Sequence, residues 1–135
     1  MSYGVRSGVS ASFFDQAGSF SFSAIAAPQN VAAVEKAFVE ELNRALADGF
    51  TPEEVDNAKT GLLRAREVAR TNDDNITYLL VSLMHQGIWM KQRIDFERRL
   101  AALTPAEVNA AFRRYIEVDK LSFVNAGDFR KLAAK

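Results

Sequence analysis

The residues able to do chemistry are few and poorly placed for it. His85 is the only histidine, and there is no cysteine, which removes disulfides, thiolate metal sites and cysteine nucleophiles together. A lone histidine cannot supply a zinc-protease helix signature, which needs two. No site with three protein zinc ligands is visible in the order of residues. His85 lies nine residues after Ile76, about 180° around a helix from the apolar stripe that Ile76 begins, so it reads as a solvated surface residue. Glu40-Glu41 and Glu53-Glu54 are adjacent pairs, pointing roughly 100° apart on a helix, and cannot flank a substrate as an acid/base couple. Ser19, Ser21 and Ser23 have no histidine near them in the sequence, so a triad would need tertiary structure to bring His85 to them. Gly4, Gly8 and Gly18 form no phosphate-cradling loop. The residues present no self-sufficient active site.

The totals describe an ordinary globular chain. It has 135 residues, 48% hydrophobic and 25% charged, the length of one domain or a piece of one. A chain this long buries roughly two-thirds of its unfolded surface and needs no staples for a proper core. Seventeen basic residues balance seventeen acidic ones, so no electrostatic pull toward nucleic acid or an anionic membrane is expected. Arg98-Arg99 and Arg113-Arg114 are short basic clusters expected on solvated helix faces. The apolar run Tyr78 to Met84 is too short to span a bilayer. Met1-Ser2-Tyr3 does not begin a signal peptide, so any targeting segment is expected outside the chain.

Period-two patterning opens the sequence. Val5, Val9, Ala11 and Phe13 share one face of a first strand, and Phe20, Phe22, Ala24 and Ala26 share one face of a second. Arg6, Ser10 and Ser12 lie opposite in the first, Ser19, Ser21 and Ser23 in the second, and Asp15 to Gly18 supplies the turn. Pro28 ends the second strand. Helical spacing follows. Val31, Val34, Phe38, Leu42, Ala45 and Leu46 form one face, with a Lys36-Glu40-Arg44 ladder opposite and Gly49 as a left-handed cap. Thr51-Pro52-Glu53-Glu54 and Thr104-Pro105-Ala106-Glu107 are capping boxes opening two further helices. The first is expected to bury Val55, Ala58, Leu62, Ala65 and Ala69 and to break at Thr71 to Asn75. A third helix carries Ile76, Leu79, Leu80, Leu83, Met84 and Gly87 on one face, and a fourth around Met90 to Ala102 brings Ile94, Phe96 and Leu100. Val108, Phe112 and Tyr115 follow the second box, and residues 121–128, LSFVNAGD, suit a buried strand.

The expected fold is therefore α+β: an antiparallel or mixed sheet, the hairpin plus the C-terminal strand, with four to five helices packed on one face. The hairpin starts almost at residue 1 with an apolar face and an unprotected edge. Neighbouring strands are accordingly expected earlier in the gene, and the isolated chain is expected to self-associate.

SYGV, the serine-and-aromatic hairpin ending in AAPQNV, FTPEEVDNAK, LTPAEVNAAFRRYI and LSFVNAGDF, in that order, resemble the last part of the C-terminal, non-catalytic domain of the pitrilysin/insulinase zinc metallopeptidases. The resemblance covers nearly the whole chain. It implies that residues 1–135 are a single domain, the truncated C-terminal portion of an inactive half that encloses a chamber with a catalytic domain of the same fold. Peptides would be cleaved there by zinc-activated water, with no cofactor in this chain and zinc held by the partner domain. It implies substrate binding by Tyr3, Gly4 and Val5, with a companion arginine seven residues before Tyr3 falling ahead of Met1. The inverted zinc motif is absent, and Thr60 to Arg64 stand where catalytic domains carry the distal glutamate. The parent would be a hydrolase, this chain inactive alone, and the compartment the bacterial periplasm. Two other readings remain: a stand-alone module dimerising through its open sheet edge, and a core subunit of a processing-peptidase complex.

Overall fold

A computed structural model of the chain describes residues 2–129, the side chains from Gly4 onward. Two strands, β1 (Ser2–Ala11) and β2 (Gly18–Ala26), precede five helices: α1 (Val31–Asp48), α2 (Pro52–Ala69), α3 (Asp73–Gln86), α4 (Met90–Ala102) and α5 (Pro105–Tyr115). The architecture is α+β, as the patterning implies. The chain divides into two compact units: residues 1–49 with 112–135, and residues 50–111.

In the first unit β1 and β2 pair antiparallel with Val5 opposite Ala24, Ser7 opposite Phe22 and Val9 opposite Phe20. Phe20, Phe22, Ala24 and Ala26 are half-buried while Ser19, Ser21 and Ser23 are exposed, the expected alternation. Helix α1 covers this face of β2: the Phe22 and Phe38 rings stack 4.2 Å apart, and Phe123 meets Phe38 edge-on at 6.2 Å. On β1 the expectation fails. Val5 and Val9 occupy the same sheet face as Phe22, yet they are 55% and 77% exposed. One helix about 10 Å across covers only part of a sheet face, and here it lies over β2. Phe13 is not in the strand. Residues 12–17 form the loop, where Ser12 Oγ accepts from the Phe14 and Asp15 amides and Ser12 N–H donates to Ala17 O at 2.8 Å.

The C-terminal strand expected at 121–128 is also corrected. That segment is irregular, and no backbone hydrogen bond joins residues 122–127 to another described residue. It runs beside α1, with Asn125 Nδ2 donating to Glu35 at 2.7 Å. Composition supplied the β preference, but a strand needs a neighbouring ladder, and none of the described strands is hydrogen-bonded to it.

Helix ends follow the sequence closely. Thr51 Oγ1 accepts from Glu54 N–H at 3.2 Å and Glu54 accepts from Thr51 N–H at 2.8 Å, a complete capping box. Thr104 and Glu107 repeat it. Asn72 caps α3, which confirms the break after α2. Gly87 ends α3 at φ 64°, in the left-handed region, with Ile88 N–H reaching back to Leu83 O. Gly49 ends α1 with φ 77° and ψ −177°, a positive φ open to glycine but not the left-handed cap expected. Arg44 pairs with Glu41, one turn position from the Glu40 partner expected, and Lys36 meets Glu40 at 3.7 Å.

The core is thinner than length alone implies. Leu42, Val55 and Leu83 are the buried apolar residues among those described. On α2 the buried stripe is rotated: Val55, Lys59, Leu63, Arg66 and Arg70 turn inward, while Ala58, Leu62, Ala65 and Ala69 are exposed. On α3, Leu80 and Met84 are exposed where a common apolar face was expected. Polar partners on α4 face the inward residues at the C-terminal end of α2.

Candidate functional site

The first candidate region is the start of the hairpin. Ser2 pairs with Ala26 and Gly4 with Ile25, so two steps along β1 face one step along β2, and Tyr3 is the extra residue of a bulge. The Tyr3 side chain lies outside the described residues. Gly4 has nothing within 4 Å of where a Cβ would stand, and Val5 is exposed. The sheet holds β1 and β2 only, so the outer edge of β1 has no strand beside it among the described residues. An edge of this kind offers unpaired N–H and C=O groups to an extended chain.

A second feature lies along β2. A groove of about 490 Å³ is lined by every residue from Phe20 to Ala26, by Val31, Val34 and Phe38 on α1, and by residues 121–126. Consecutive strand residues alternate faces, so all seven can line one groove only along the strand's edge. Its lining mixes apolar side chains with Ser21, Ser23 and Ser122, and Glu35, its one charged lining residue, is bound by Asn125. Among the described residues neither edge of the hairpin has a further strand paired to it.

The second unit holds a charged cluster that the sequence reading missed. Glu97 Oε1 accepts from Arg66 Nε at 3.0 Å and from Arg70 at 2.6 Å, and the Arg66 guanidinium lies 4.9 Å from the Phe96 ring centre. Arg70 first, then Arg66, hold the Glu97 carboxyl below the usual carboxylate range against the opposing effect of burial. Burial, followed by Arg66, pushes Arg93 down. Lys59 Nζ reaches Leu103 O at 2.9 Å, satisfying a carbonyl beyond the end of α4. The spacing Lys59, Arg66, Arg70 was legible, but their partners, Leu103 O for Lys59 and Glu97 for Arg66 and Arg70, lie far along the chain.

Two further polar anchors were missed. Asn109 brackets Phe50, accepting from its N–H at 2.7 Å and donating to its O at 3.0 Å. Arg113 is exposed, as expected of a solvated face, and from there donates to Leu46 O at 2.8 Å and Ala47 O at 3.2 Å, where a cation meets the last carbonyls of α1. His85 is exposed, as its angular position implies. Among the described residues no three histidine, cysteine, aspartate or glutamate side chains gather to hold a metal, and no helix is long and apolar enough to cross a membrane.

The first unit is thus a half-covered hairpin, and the second a helical unit whose polar cluster joins helices without gathering metal ligands. Residues 2–62 match the family model described as the Peptidase M16 inactive domain. The match runs from β1 to Leu62 in α2, and over that stretch the chain is similar to the inactive domain of that peptidase family, in line with the resemblance carried by SYGV and the hairpin. LTPAEVNAAFRRYI and LSFVNAGDF lie beyond the matched residues. No curated protein and no solved structure matches the chain.

Proposed function

We propose that the chain serves as the non-catalytic half of a zinc-dependent endopeptidase, working with a catalytic domain of the same family on one polypeptide or a paired subunit. It helps enclose the chamber and holds peptide substrate through Tyr3, Gly4, Val5 and the open hairpin edge, while zinc belongs to the partner. The observation carrying this reading is the inactive-domain match, which falls on a strand whose outer edge is free among the described residues. An extended peptide adding to that edge would be gripped by its backbone, with little demand on its side chains. The exposed serine face and the open space above Gly4 support such sequence-tolerant binding. The periplasm is the compartment we propose with it.

The purified chain is expected to hold no stoichiometric zinc and to cleave no peptide. Combined with its catalytic partner it should support chelator-sensitive cleavage, and Tyr3→Ala should lower kcat/KM by about tenfold, the loss of one good hydrogen bond or ring contact. One tightly held zinc together with proteolysis by the chain alone would overturn the reading. The exposed Val5 and Val9 favour a second reading, a module that dimerises through its sheet edge without any peptidase. It predicts an unchanged dimer when the catalytic domain is added.

A further inference from the structure

In the second unit, a cleft of about 440 Å³ opens between α2, α3 and α4. Three arginines line it, Arg66, Arg70 and Arg93, and no acidic residue does. Among the described residues Glu97, beside it, is the acid paired with Arg66 and Arg70, which share the same oxygen of its carboxylate. Arg93 has no ion pair among the described residues. The four residues together carry three positive charges and one negative. In a partly desolvated cleft the repulsion among the three cations is only partly offset.

The remaining walls differ in kind. Ala65, Ala69 and Leu79 give an apolar side. The Ser82 hydroxyl accepts from Gln86 Nε2 at 3.2 Å, which leaves its own proton to donate. Tyr78 stands at the rim, 78% exposed. A small inorganic anion would use the guanidinium groups and leave the apolar wall idle. We propose that this cleft binds a carboxylate carried on an apolar group, in the form of the free C-terminus of a peptide ending in an apolar residue. The carboxylate sits against the guanidinium groups of Arg93 and Arg70, whose planar forks match its two oxygens. The last side chain lies along Ala65, Ala69 and Leu79, under the Tyr78 ring. The site is independent of the hairpin and of any catalytic partner.

The test is a calorimetric titration of the full chain with N-acetyl-Ala-Ala-Leu, its C-terminal amide and inorganic phosphate, with amide chemical shifts locating each. The free acid should bind about tenfold more tightly than the amide, the discrimination a charge-assisted pair gives, and should weaken with added salt. Arg93→Gln should remove most of that preference, Arg93→Lys should restore part of it, and Tyr78→Ala at the exposed rim should weaken acid binding while circular dichroism is unchanged. Equal affinity for acid and amide, binding of phosphate as tight as that of the acid, shifts confined to residues 4–26, or no binding by a folded chain would each overturn the proposal. In the last case Arg66 and Arg70 serve only to join the end of α2 to α4 through Glu97.

Discussion

Glu97 decides the inner face of α2. Its carboxylate draws Arg66 and Arg70 inward and leaves the alanines of the same helix outside. The Arg66 and Glu97 side chains are 19% and 20% exposed, enough burial for the bonds to count and enough water to temper them. Glu97→Gln keeps the shape and removes the charge. It should cost about 1–2 kcal/mol, in the range of a charge-assisted hydrogen bond at a half-wet site, read as a lower urea midpoint at constant slope. The pH dependence has the same origin. The folded state holds this carboxyl below its ordinary range, so the unfolded chain binds the proton more readily. The stabilisation is complete above the ordinary carboxylate pKa and is lost as pH falls below it and through the lowered pKa of the folded state. A urea series between pH 6 and pH 3 should show wild type losing stability and Glu97→Gln losing less.

Capping operates at the scale of the element. Glu54 and Glu107 are each held below the carboxylate range chiefly by the backbone N–H of the threonine three residues before. The sign is the same as for Glu97, so the first turns of α2 and α5 should fray as pH falls below the ordinary carboxylate range. Thr51→Ala should cost about 1 kcal/mol and raise amide exchange through the first turn of α2. Unchanged exchange at residues 53–55 would show that packing of Val55 alone fixes that end. The thirteen residues of α4 begin and end where the spacing implies, because a helix end depends on residues within one turn of it. The strand expected at 121–128 depends on a partner far along the chain, and local composition cannot supply one.

For the whole molecule, the apolar surface left open is the main consequence. Val5, Val9, Ile25, the β1 edge and the groove beside β2 all lie in the first unit and all present pairing or apolar surface. We expect the isolated chain to self-associate through them, with a weight-average mass that rises with concentration in sedimentation equilibrium. Val5→Lys with Val9→Lys should return it to monomer while leaving the helical signal intact. A concentration-independent monomer for wild type would show that the open face needs no cover.

The alternation of the hairpin, the two capping boxes, the break after α2 and the five helices were legible because each is set by contacts within a few residues. The resemblance carried by SYGV and the motifs after it was legible too, and the match over residues 2–62 agrees with it over that stretch. Tertiary structure alone decided which apolar faces are covered: Phe22 under Phe38 but Val9 in water, Val55 buried but Leu62 outside. It also decided that Arg66 and Arg70 meet Glu97, and that Asn109 and Arg113 are anchors. Periodicity states which residues share a face. Whether that face finds a neighbour depends on what the rest of the chain can bring beside it.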